Sequence, residues 1–206
     1  MSVEIWLRMD KMKKIIGVTG NMGTGKSTLA KELSKHCHLH IIELDDLRRY
    51  ALWESNEPHH VKLRENLAQL FQIEIKCTWI SREQFTSKLF SSPESLHAYS
   101  SIATPVLHQD TLRNINSTHI NTLIVWAWLL EEGYTQFVNS FVILVSCQHE
   151  RLNQETSDTN LTQRRILEPS HESRLYSARN IKIIEFDNSN NMNTKLIKHL
   201  VSKINE

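Results

Sequence analysis

The chain has 206 residues, 40% hydrophobic and 23% charged, which suits one compact domain of about 100–200 residues. Its 24 lysines and arginines stand against 23 aspartates and glutamates, a net charge of +1, so no global field holds nucleic acid or an anionic membrane and any bound anion must be held locally. No apolar run reaches the roughly 20 residues of a membrane span, and Glu4 and Asp10 make the first twelve residues unlike a secretory signal, so a cytoplasmic location is expected.

The first predicted element is a short strand, Lys14-Ile15-Ile16, leading into Gly17-Val18-Thr19-Gly20-Asn21-Met22-Gly23-Thr24-Gly25-Lys26-Ser27-Thr28 and then a helix-like stretch, Leu29 to Cys37. Glycine is scarce, with five residues where an average composition gives roughly fourteen. Four of the five fall in this segment, which carries the phosphate-loop spacing G-x-x-x-x-G-K-S between strand and helix. A loop wrapped around a pyrophosphate turns its amides inward through positive φ angles, and it ends at a helix N-terminus that favours an anion. Residues 20–28 are therefore the predicted ATP-binding residues, with Lys26 reaching the β and γ phosphates and the Ser27 hydroxyl ligating Mg²⁺.

A second strand, His40 to Leu44, runs into Glu43, Asp45 and Asp46, and a polar stretch reads as helical from about Asp46 to Ile73 with a break near Pro58. Read as an extended segment, alternation puts Glu43 and Asp45 on one side and leaves Asp46 to cap the next helix. A phosphoryl-transfer site needs a carboxylate to orient and deprotonate its acceptor, so Asp45 is the catalytic candidate. Residues 81 to 118 carry apolar spacings that suit buried helix faces, with Pro93 at a helix start and Pro105 at a kink or boundary.

Three further strands are predicted at Thr122 to Trp126, Phe141 to Val145 and Ile181 to Ile184. The expected fold is α/β: a three-layer P-loop NTPase domain with a five-stranded parallel sheet (core 13–45, 119–147 and 180–206), a helical insertion over 46–118 for the acceptor, and a lid over 148–179. Trp126 and Trp128 flank Ala127 at a strand end, where core packing and stacking against a ligand are both open. The histidines of His36-Cys37-His38-Leu39-His40 lack a second ligand cluster and are assigned no metal, and Cys37, Cys77 and Cys147 have neither disulfide nor C-x-x-C spacing.

The loop, followed by Ile42-Glu43-Leu44-Asp45 and Arg48, resembles the dephospho-coenzyme A kinase family, in which the second strand ends in Asp-Ala-Asp. Ser81-Arg82-Glu83 through Pro93-Glu94, Ala103-Thr104-Pro105-Val106 and Leu129-Leu130-Glu131-Glu132 are similar to later elements of that family, in the same order, over about residues 13 to 188. The resemblance implies phosphorylation of the ribose 3′-hydroxyl of dephospho-coenzyme A by ATP with Mg²⁺, Asp45 as general base and Glu43 in place of the first aspartate. A related small-molecule or nucleoside kinase, or a nucleotide-binding regulatory protein, is the alternative. Four positions depart from the family: Thr104 stands for a histidine, Trp128 for a proline, Glu155 for a lid arginine and Arg179 near a usual aspartate. Arg151 and Arg165 are the leading compensating lid cations, with Arg164 and Arg174 as further candidates or as a solvated face.

Overall fold

Five short apolar segments pair into one parallel sheet. The computed structural model describes residues 13–147, 167–178, 180–189 and 194–206. In chain order the elements are β1 (Ile15–Thr19), α1 (Lys26–His36), β2 (Leu39–Glu43), α2 (Leu44–Trp53), α3 (Pro58–Phe71), β3 (Ile75–Lys76), β4 (Trp79–Ile80), α4 (Arg82–Leu89) and α5 (Pro93–Asn116). They continue with β5 (Asn121–Val125), a 3₁₀ turn (Tyr134–Phe137), β6 (Val142–Ser146), α6 (His171–Ser177), β7 (Ile183–Asp187) and α7 (Thr194–Asn205). The sheet order is β2–β5–β1–β6–β7, so β1 is central and its loop opens at the carboxyl edge between two neighbours. No helix among the described residues is long and apolar enough to cross a membrane.

The strands read as continuous apolar runs because both faces of the sheet are covered. Leu123 and Val125 of β5 pack with Ile16, Val18, Leu29, Leu33, Phe186 and Leu200, the side covered by α1 and α7. Ile124 and Trp126 point the other way, against Ile42, Leu129, Tyr134 and Val142. The residues between β2 and β5 build a separate core in which Phe85 meets Trp53, Phe71 and Tyr99 edge to face.

Three local features refine the expectation. Of the two readings of Pro105 the boundary is excluded, since Pro105 lies inside α5, whose buried Tyr99, Ala103 and Leu107 anchor the helix in the insertion core across the proline. The last strand begins at Ile183 because Ile181 still donates to the Ala178 carbonyl in the turn after α6. Finally, β3 and β4 form a hairpin whose two turn residues, Cys77 and Thr78, adopt φ of 49° and 77° without glycine. Buried Arg64 holds that turn: its Nε donates to the Thr78 carbonyl at 2.6 Å, and its guanidinium lies 4.3 Å over the Trp79 ring.

Candidate active site

The phosphate loop is shaped by its glycines. Gly20, Gly23 and Gly25 hold φ of 140°, 82° and 94°, which only glycine adopts at low cost. A Cβ on Gly20 would stand 2.1 Å from the Val145 carbonyl oxygen, so the loop runs directly against the end of β6. Gly20→Ala is therefore expected to destabilise the protein by at least about 1–3 kcal/mol from backbone strain alone. Chemical denaturation checks this, and unchanged stability would contradict the contact with β6.

Gly25 is the N-cap of α1, and Lys26 and Ser27 are its first residues. Lys26 Nζ donates to the Asn21 carbonyl at 2.8 Å, folded along the loop it is expected to serve. Asn188, just beyond β7, closes the other side by donating to the Thr24 carbonyl at 2.9 Å.

The acidic end of β2 differs from its expected geometry. The strand stops at Glu43 and α2 begins at Leu44, so Glu43 and Asp45 do not alternate along an extended chain, and Asp46 is in the first helical turn rather than at the cap. Glu43 faces the loop: Ser27 Oγ donates to Glu43 Oε2 at 2.9 Å. Asp45 is half exposed and accepts from Arg48 Nη2 at 2.8 Å, while Asp46 makes the equivalent pair with Arg49 at 2.6 Å. The serine–carboxylate contact was not anticipated, although both residues were singled out.

Just past β5, at the other strand end beside the loop, Trp126 is buried and its Nε1 donates to Glu132 Oε2 at 2.8 Å, so this indole is core. Ser100 Oγ donates to the other oxygen of Glu132 at 2.9 Å. Burial raises the Glu132 carboxyl above the usual carboxylate range, against the pull of these donors and of Arg48. Trp128 instead lines a cavity of about 490 Å³ with Leu96, His97, Ser100 and Thr104 of α5 and with Glu131. Two of the positions that depart from the family pattern, Thr104 and Trp128, therefore face each other's cavity.

Arg174 is not on a solvated face. It is 1% exposed, its Nη1 donates to Thr19 Oγ1 at 3.0 Å and to the Ala127 carbonyl, and it faces Glu131 at 3.7 Å. It thus ties the ends of β1 and β5 together beneath the loop. Glu168 brings a carboxylate to the loop itself, accepting from the Met22 amide at 2.8 Å. Arg151, Glu155, Arg164, Arg165 and Arg179 lie outside the described residues.

The family model for dephospho-CoA kinase matches residues 14–191. An uncharacterized protein of Schizosaccharomyces pombe is 26% identical over 136 residues, which are 65% of this chain and 56% of that protein. A dephospho-CoA kinase of Thermus thermophilus is 25% identical over 154 residues, 74% of this chain and 71% of its own. The crystal structure of a Thermus thermophilus protein superposes with a TM-score of 0.69 at 20% identity, covering 94% of this chain and 99% of that one, which shows a shared fold. With its phosphate loop, parallel sheet and matched span of residues 14–191, this chain belongs to the dephospho-CoA kinase family of P-loop kinases.

Proposed function

We propose that this chain transfers the γ-phosphoryl group of ATP to the ribose 3′-hydroxyl of dephospho-CoA. The observation that carries the reading is the hydrogen bond between Ser27 and Glu43, which joins the phosphate loop to the acidic strand end across which an acceptor hydroxyl must approach. The loop amides and Lys26 bind the β and γ phosphates. Asp45, in the first turn of α2, accepts the proton as the acceptor oxygen forms its bond to phosphorus and the bond to the β-phosphate oxygen breaks, releasing ADP. The cavity walled by α5 and Trp128 receives the acceptor.

The residues at the loop fit Mg²⁺, since a hydroxyl and a carboxylate 2.9 Å apart form an all-oxygen donor pair of the kind this cation prefers. Ser27 and Glu43 would hold it, and the ion supplies neutralisation of phosphate charge when bound. Glu43→Gln is expected to raise the Mg²⁺ concentration for half-maximal rate by about 10- to 100-fold, the usual cost of disturbing a metal's carboxylate support. A Mg²⁺ titration at saturating ATP checks this; an unshifted midpoint would assign Glu43 a purely structural bond.

ADP release measured with dephospho-CoA and with a panel of nucleosides tests the acceptor. Faster turnover with dephospho-CoA is expected, and turnover with a nucleoside alone would overturn it in favour of a changed acceptor. That second reading has one specific support: Thr104 and Trp128 line the same cavity.

A further inference from the structure

Away from the phosphate loop, the first turn of α3 meets α5 through a cluster that the kinase chemistry does not use. Ligand-capable atoms of Glu57, His59 and His60 lie within 4.8 Å of one another. Neighbouring residues on a helix diverge by about 100°, yet the His59 and His60 rings stand with centroids 4.0 Å apart. Both Nε2 atoms face one carboxylate on α5: His59 at 3.3 Å from Asp110 Oδ1 and His60 at 2.8 Å from Asp110 Oδ2. On the far side of each ring an oxygen is placed at Nδ1, with Ser55 Oγ 2.7 Å from His60 and Glu57 Oε2 3.6 Å from His59. A cation that took the place of the proton between each Nε2 and Asp110 would meet two imidazole nitrogens and a carboxylate at one point.

A cation is already drawn to this point. Arg113 Nη1 lies 3.2 Å from Asp110 Oδ1, 3.3 Å from His59 Nε2 and 3.6 Å from Glu57 Oε2. The Arg113 side chain is 58% exposed, whereas that of Asp110 is 9% and that of His60 2%. It can therefore swing away into water while the donors stay fixed by the core.

We infer that His59 Nε2, His60 Nε2 and Asp110 form a binding site for a borderline divalent transition cation, with Zn²⁺ the natural occupant, and that Arg113 stands in for the ion in the structure. Two imidazoles and one carboxylate select zinc over the all-oxygen preferences of Mg²⁺ and Ca²⁺. Zinc bonds of about 2.0–2.1 Å place tetrahedral ligand atoms roughly 3.3–3.4 Å apart. The His59 contact, to Asp110 Oδ1, is close to this value, and the His60 contact, to the other oxygen, must open by about half an ångström for the carboxylate to serve an ion between the two rings. Ser55 and Glu57 support the rings from behind, and solvent fills the fourth position. The ion would pin the start of α3 to α5, the helix that walls the acceptor cavity, which makes its role structural.

Calorimetric titration of the full, untagged chain with ZnCl₂ tests the site and needs no turnover, so its outcome is separate from that of the kinase reading. One zinc per chain is expected. His59→Ala should weaken binding by about 10-fold or more, with the zinc-free melting temperature unchanged because His59 is at the rim. Arg113→Ala should tighten binding by removing the competing charge. The same opposed effects are expected in the zinc-induced rise of the melting temperature. Zinc affinity unchanged in His59→Ala, or no zinc bound by Arg113→Ala, would overturn the site.

Discussion

Lys26→Ala is expected to lower phosphoryl transfer by about 10³-fold or more, because the role proposed for this ammonium is to bring a point charge to the oxygens between which the phosphorus moves. Its backbone frame survives the substitution: Gly25 still caps α1, and Asn188 still closes the loop on Thr24. The loss therefore belongs to binding and chemistry rather than to folding, and an unchanged melting temperature beside the lost rate separates the two. Removing the Nζ contact to the Asn21 carbonyl, 2.8 Å, costs little in a half-exposed setting. ADP release and nucleotide titration on the same preparation check the expectation. Retained binding and activity would remove residues 20–28 from the role assigned to them.

The legible parts of this molecule were those written in local backbone chemistry. Scarce glycines concentrated at Gly20, Gly23 and Gly25 announced a loop with positive φ, and all three carry it. The five strands were visible because a sheet covered on both faces leaves runs such as Leu123-Ile124-Val125 without polar interruption. The β3–β4 hairpin was not visible, since Cys77-Thr78 has none of the usual turn residues and is held by Arg64, whose contacts come from tertiary packing. The same holds for the acidic segment. Glu43-Leu44-Asp45-Asp46 reads equally well as strand end or helix start, and only the packing of buried Leu44 and Ala51 selects the helix. Arg174 looked like one more surface arginine, because nothing local reveals that the ends of β1 and β5 converge on it. Likewise, the partner of His59 and His60 is Asp110, fifty residues on in sequence.

Asp45→Asn is expected to lower turnover by about 10²- to 10⁴-fold, the usual contribution of a general base, while nucleotide affinity stays nearly intact. The neighbouring carboxylates make the expectation specific. Glu43 is committed to Ser27, so its loss should be answered in part by added Mg²⁺, whereas no metal concentration should rescue Asp45→Asn. Asp46 is paired with Arg49 on the exposed side of the same helical turn, and Asp46→Asn should leave the rate close to that of the unaltered protein. Folding is followed separately: the Asp46–Arg49 pair is exposed on both sides and contributes about 0–1 kcal/mol, whereas the Arg48 side chain is only 18% exposed, so the melting temperature of Asp45→Asn is to be measured beside its rate. Arg48 adds a second handle. It stands 5.4 Å over the buried Trp126 ring as well as 2.8 Å from Asp45, so it fixes where the Asp45 carboxylate points. Arg48→Met should then lower kcat with less effect on the KM for ATP, through the misplaced base. Should Asp46→Asn carry the large loss and Asp45→Asn none, the base is the other carboxylate, and the acceptor must approach α2 from its outer side.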